Sequence, residues 1–403
     1  MSTRIVRKQK SDGAGSSLGL CLKLGALALC AFAMSRAGVG PAHASEASGA
    51  TPNAPALGQA STTDGGPDPS LSDSERALAL GAAVFPGVLL HGSGSYVLGR
   101  GDTAMPLLAM DLGGLGLLAV SGGSLYFAGA ARNLSGLAVA GVVSGGALFF
   151  ISWLADVYAI TAPEGGYGRA ADRAPALETE LGYRYVYDPR FDYRHFMVSR
   201  MTVWQERWRL TPSLWAAPGD GNSRWRAEVA HRFIGPTRGR SSQDGSFLDV
   251  QIAATEHQFP RQYFALSTAE WMLQSRLDLQ RLGPHLAGAF GELGVGTAFQ
   301  VTRFDLAGAR SMSSTLLLAR FAFGIYLGDQ RRGGGEWRVS YDHRHDDFAA
   351  GLLMPGIGSG PAGHIGIDGY HFFDEHWGLG MEASVGSAVV AGLSARFRHW
   401  GTP

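Results

Sequence analysis

The chain has 403 residues, a formal net charge of zero, only 17% charged residues and 58 glycines. Balanced charge argues against a nucleic-acid partner, for which a basic stripe is expected, and a glycine-rich, low-charge composition leans toward a membrane protein. Cys21, Cys30 and the lysines Lys8, Lys10 and Lys23 all lie near the N-terminus. If that stretch is removed, what is left has no disulfide, thiol nucleophile or Cys-ligated metal, and no cofactor is implied.

Arg4, Arg7, Lys8 and Lys10 precede the apolar run Leu24 to Met34, and Ala42-His43-Ala44 follows as a small-x-small site. This is the order of a cleavable secretory signal, so residues 1–44 are expected to leave before Ser45. No small residue directly precedes Cys21 or Cys30, so no lipid anchor is expected. Residues 45–75 have almost nothing to bury and read as a disordered linker.

Residues 76–162 form an apolar helical segment. Ser72 or Asp73 can cap a helix running toward Val84, and Pro86-Gly87 ends it. Two longer apolar stretches follow, Thr103 to Ser121 and Leu134 to Ile160, each long enough to cross a hydrocarbon layer. Gly113, Gly114, Gly116 and the Gly141-x-x-x-Gly145 pair supply the small surfaces that let helices approach closely. Asp111 and Asp156 are the acidic residues of these stretches, and an acid in lipid marks a function or a partner unless it sits near a helix end or a wet groove. Pro86-Gly87 with His91-Gly92 and Tyr96 resembles the Pro-Gly-x-Gly-His-x-Tyr openings of small bacterial helical-hairpin membrane domains. Envelope proteins are possible partners through this segment.

Residues 163–177 read as a linker, and from Glu178 the period becomes two. Trp225, Ala227, Val229 and Phe233 alternate with Arg224, Arg226, Glu228 and Arg232. Leu248, Val250 and Ile252 alternate with Asp249 and Gln251, and Trp337, Val339 and Tyr341 with Glu336, Arg338 and Asp342. Each is a strand with one apolar face. Several runs are as long as a tilted membrane strand requires, and Tyr183, Tyr185, Tyr187, Trp208, Trp215, Tyr263, Phe264, Phe372, Phe373 and Trp377 gather toward strand ends, as boundary residues do. The last run carries Val389, Ala391, Leu393, Ala395 and Phe397 on one face, with Trp400 beyond. It resembles the closing strand of bacterial outer-membrane barrels, a resemblance that implies a location in the outer membrane with the lipid bilayer as partner.

The fold expected for residues 178–400 is therefore an antiparallel up-and-down transmembrane β-barrel preceded by the helical segment. Eleven strand candidates can be read along it, whereas bacterial single-chain barrels have even numbers. The two longest connections, Gly235 to Gly245 and Asp346 to Gly363, should share one side, and a further strand between them satisfies both conditions. Twelve strands are expected, with ten as the alternative. The joint from Thr161 to Leu177 reaches only about 60 Å when fully stretched at roughly 3.5 Å per residue. Helices and barrel should thus share one membrane, the helices packing on the outside or at the mouth of the barrel.

Arg224, Arg226, Glu228, Glu270, Arg276, Arg320, Arg338, Glu382 and Arg396 are expected to line the lumen, with Asp249, Asp278, Glu292 and Glu336 among them. Mixed signs in a small lumen pair across it rather than line a wide pore. This favours a non-enzymatic structural, assembly or narrow-transport role, with cargo and ligand undefined. The alternative is an outer-membrane hydrolase working at the extracellular rim, where His343, His345, Asp346 and Asp347 are the candidate catalytic residues. His343-x-His345 could also ligate zinc, but the alternation of Trp337, Val339 and Tyr341 would turn both imidazoles outward, so no metal site is assigned.

Overall fold

A computed structural model describes residues 72–127, 135–188, 194–242, 244–343, 363–386 and 388–401. The expected signal peptide and nearly all of the linker after it lie outside the described residues.

The helical part opens with α1 (Asp73–Val84), a 3-10 turn at Pro86–Val88 and the short α2 (Ser93–Val97). Ser72 caps α1 with a reciprocal box: its side chain accepts from the Glu75 amide, and the Glu75 carboxylate accepts from the Ser72 amide. Then come α3 (Gly101–Phe127) and α4 (Ser135–Thr161), both long and apolar enough to cross a membrane. Glycine sets how closely they pack. A Cβ on Gly114 would stand 2.8 Å from the Gly145 carbonyl oxygen, and one on Gly145 would stand 2.7 Å from that of Gly114. Gly141 faces Ser121, whereas Gly113 and Gly116 touch nothing on the neighbouring helix.

Twelve antiparallel strands follow the two-residue β1 (Gly168–Arg169). They are β2 (Leu177–Tyr187), β3 (His195–Gln205), β4 (Trp208–Ala217), β5 (Asn222–Ile234), β6 (Phe247–Phe259), β7 (Phe264–Asp278), β8 (Ala289–Phe304), β9 (Met312–Asp329), β10 (Gly334–Asp342), β11 (His364–Phe372), β12 (Trp377–Val385) and β13 (Val389–His399). Each of β2 to β13 pairs with its sequence neighbours, and β13 pairs with β2 from Val389↔Tyr187 to His399↔Leu177, which closes the barrel. Twelve strands is the expected number, but the loop argument for it does not hold. Five strands, β6 to β10, separate the connection after Ile234 from the one after Asp342, so the two longest connections leave the barrel at opposite ends. The first lies at the terminal end, where the chain enters β2 and leaves β13, and the second at the distal end.

The strand period sorts the side chains. Leu181, Met197, Trp225, Ile252, Phe299, Ile367, Met381 and Leu393 are large, apolar and exposed on the outer wall, while the in-register neighbours Glu180, Arg200, Arg226 and Thr255 point to the interior. A soluble β-domain buries the first set and exposes the second, so this inversion is the arrangement of a wall facing lipid.

Of the aromatics expected at strand ends, Tyr183, Tyr187, Trp208, Tyr263, Phe373 and Trp377 are exposed. Trp215, Phe264 and Phe372 correct the expectation. They lie on the inward face, Trp215 under the guanidinium of Arg184 at 4.0 Å and Phe372 under that of Arg398 at 3.8 Å, where a π face replaces water around a desolvated cation.

The helices pack outside the barrel. Leu107, Met110, Ala147, Ile151, Ala155, Tyr158 and Ala159 share one apolar core with Leu279, Leu286, Ala289 and Phe323. The Phe150 and Phe321 rings are 5.6 Å apart, and the Tyr158 hydroxyl donates to the Ala287 carbonyl at 2.7 Å. Gly291 makes room for this contact, since its Cβ would meet Ile151 at 3.0 Å. Gly294 similarly yields to Arg320 and Met272, so the glycines of β8 serve packing.

Candidate functional site: the barrel interior

The strand faces that point inward build three layers. At the distal end of one half of the barrel, Val186, Phe196, Val198, Trp215, Ala217, Phe259, Leu266 and Val390 form a buried apolar cluster, with Phe264 packed against it. Beside it the His257 Nε2 and Asn222 Oδ1 atoms pair at 2.7 Å. Alternation of the outward apolar residues implies an inward face that is polar throughout, so this layer is not expected from it. The available signal was a change on the charged face near strand ends, as in β6, where Asp249 and Gln251 give way to Phe259.

The middle layer is ionic. Arg276 donates from Nη2 to Glu292 Oε1 at 2.6 Å and from Nη1 to Glu336 Oε2 at 2.8 Å. Arg338 lies 3.3 Å from Glu292 and 2.8 Å from Asp368. Arg226 makes a two-pronged contact with Glu270 at 2.7 and 2.8 Å and reaches Glu228 at 3.5 Å. Arg396 sits 3.3 Å from both Glu178 and Glu180, and Arg184 is paired with Glu382. Arg320 points inward from β9 between Leu318 and Ala322, at the junction of the two interior cavities. Arg224 stacks 5.0 Å from the Trp215 ring. Planar guanidinium groups suit this layer, because their fork can hold two carboxylates at once.

The third layer closes the terminal end, and nothing in the sequence pattern announced it. The stretch read as a linker is a strap. β1 pairs in parallel with the end of β9, Gly168↔Gly328 and Arg169↔Asp329. Beyond it, the Ser242 amide donates to the Asp172 carbonyl at 2.9 Å, the Ala174 amide to the Thr237 carbonyl at 3.4 Å and the Trp204 amide to the Ala176 carbonyl at 3.0 Å. The long connection after β5 thus folds over the mouth and ties the strap down. Behind them, Arg232 holds Asp249 through two bonds of 2.8 and 2.9 Å and donates to the Pro236 carbonyl at 2.7 Å.

Two cavities lie in the described part of the lumen. One of about 290 Å³ is lined by Glu180, Arg200, Arg320, Arg338, Asp342, His364, Asp368 and Arg396. The other, of about 330 Å³, lies between the ionic layer and the strap and is lined by Ala171, Arg173, Pro175, Trp204, Tyr326, Gln330 and Tyr370. Glu292, Arg320 and Arg338 line both, so the ionic layer is the partition.

Of the four rim candidates, the structure describes His343 alone. His343 follows β10 directly, its Nδ1 3.0 Å from the hydroxyl of the outward-facing Tyr341. His345, Asp346 and Asp347 lie outside the described residues. His364 is opposite Asp342 on the inward face, and the Asp374 carboxylate accepts from the His376 and Trp377 amides at 2.6 and 2.7 Å. Among the described residues, no three His, Asp or Glu side chains gather as a metal ion requires.

Outer wall, strand closure and charged interior together define a transmembrane β-barrel. No family model and no curated protein matches the sequence. Solved barrels are similar in shape. The KdgM porin, in complex with disordered oligogalacturonate, is 7% identical over 55% of this chain and 98% of its own, with a TM-score of 0.33. The Acinetobacter baumannii outer membrane protein Omp33 is 10% identical over 57% of this chain and 100% of its own, at 0.28. The β-domain of the Bordetella autotransporter BrkA is 12% identical over 57% and 100%, at 0.31.

Proposed function

We propose that the chain is exported by a cleavable signal peptide and inserted in the bacterial outer membrane, where it serves as a closed or narrow barrel with a structural or narrow-transport role. The observation that carries this reading is the bridge from Arg276 to Glu292 and Glu336. It joins β7 to β10 through the lumen, and it stands in series with the strap. Opening such a path separates desolvated charges from their partners, each costing on the order of several kcal/mol. The charge pairs and the strap therefore both stand across the path that a solute would take through the described part of the lumen.

A liposome-swelling assay tests the proposal. Proteoliposomes of the full chain should swell no faster in isosmotic arabinose or stachyose than empty liposomes do. Rapid swelling in stachyose would mean a general porin and end this reading.

A further inference from the structure

The turn between α1 and α2 carries a large apolar surface. Phe85 is 86% exposed, Leu89 67% and Leu90 56%. Its depth relative to the barrel can be read from α4. The His91 ring packs 4.5 Å from Phe149, and His91 Nδ1 lies 2.7 Å from Ser152 Oγ. Phe150, between those two contacts, meets Phe321 on the outer wall. Phe321 is paired across the sheet with Leu293 and Tyr341, well inside the span of β9. The turn therefore reaches the depth at which the barrel presents its lipid-facing side chains.

Non-helical backbone at such a depth needs its amides satisfied without water, and Asp156 does this for three of them. Its Oδ2 accepts from the Gly92 and Gly94 amides at 3.1 and 3.0 Å, and its Oδ1 from the Ser95 amide and hydroxyl at 2.9 and 2.6 Å. Gly92 has φ +88°, and a Cβ there would collide with the Ala104 backbone. A loop lying in water would need neither a fully buried carboxylate to collect its amides nor so apolar a tip.

We propose that Phe85–Val97 is a re-entrant element that dips into the membrane leaflet at the terminal end of the barrel, with lipid acyl chains as the partner of Phe85, Leu89 and Leu90. The inference rests on the membrane-barrel reading. Its occupant is lipid rather than protein because the tip stands level with an outer wall that already faces lipid.

No cysteine follows Cys30, so with Cys21→Ser and Cys30→Ser in the background, single-cysteine variants of the chain can be labelled with bimane in vesicles containing lipids brominated along the acyl chain. Leu90→Cys should be quenched several-fold more than Asp73→Cys, and as strongly as Leu393→Cys on the outer wall. It should also resist a membrane-impermeant maleimide that modifies Asp73→Cys. Leu89→Cys repeats the measurement if the first variant inserts poorly. Unquenched, maleimide-reactive cysteines at 89 and 90 beside a quenched Leu393→Cys would overturn the proposal. Loss of quenching at Leu393→Cys as well would overturn the barrel reading beneath it.

Discussion

Arg276 and Glu336 meet at 2.8 Å although β8 and β9 separate their strands in the sheet. Such a contact stiffens the barrel along a chord, and removing the cation leaves Glu336 facing Glu292 in a poorly hydrated lumen. Arg276→Ala should lower stability by on the order of 3 kcal/mol. The urea midpoint of the heat-modifiable gel band reads this, and an unchanged midpoint means that lumen water already solvates these carboxylates.

The strap and the ionic partition close the lumen in series, so opening one should not suffice. Replacing residues 170–175 with a Gly-Ser sequence should leave liposome swelling low. Adding Arg338→Ala and Arg276→Ala to that replacement should admit arabinose. Entry of arabinose through the strap replacement alone would assign the whole barrier to the strap.

Helix contact depends on glycine at defined places. Gly145→Ile would drive a branched side chain into the Gly114 backbone and should separate α3 from α4, whereas Gly116→Ala, facing open space, should be neutral. Limited proteolysis of detergent-solubilised protein distinguishes them, with the hairpin lost and the barrel intact only in Gly145→Ile. Equal resistance of both would count against the close packing.

Asp156→Ala strands the Gly92, Gly94 and Ser95 donors. Each buried donor left unsatisfied costs about 1–3 kcal/mol, enough to melt the re-entrant turn while the barrel stays folded. Amide exchange over residues 85–97 should accelerate by orders of magnitude in this variant and by less in Asp156→Asn, which keeps one acceptor oxygen. Protection equal to that of the unsubstituted chain would show another acceptor in its place.

In the turn between β11 and β12, bonds from the Trp377 and His376 amides hold the Asp374 carboxyl below its ordinary value of 3.8. A depressed carboxylate pKa contributes stability that is present above the ordinary value and is lost as pH falls through the folded one. Asp374→Ala should therefore lower the melting temperature near neutrality and flatten its decline below pH 4. Parallel acid profiles for the two proteins would exclude a role for this turn.

The barrel was legible because a two-residue period with one greasy and one charged or polar face survives in strands such as β5, β6 and β10, and because the face sequence of Val389 to Phe397 continues to the closing pair with β2. Trp215 and Phe372 were misplaced for a related reason. An aromatic near a strand end fits a lipid boundary or an arginine equally well in one dimension, and only the register decides which face it takes. Asp156 could be marked as costly in lipid but not assigned a role, since its donors lie 61 to 64 residues earlier in the chain.

By itself the sequence determined the strand period, the separation of the helical segment from the barrel, and the acids and arginines that alternate with apolar residues along the strands. These follow from local spacing and from the cost of desolvating charge. Tertiary structure alone decided which arginine holds which carboxylate, that residues 168–176 form a strap and not a tether, and that the hairpin rests on β8 and β9. Those outcomes depend on closure. Once β13 pairs with β2, residues far apart in the chain share one narrow interior, and the space left there selects their partners.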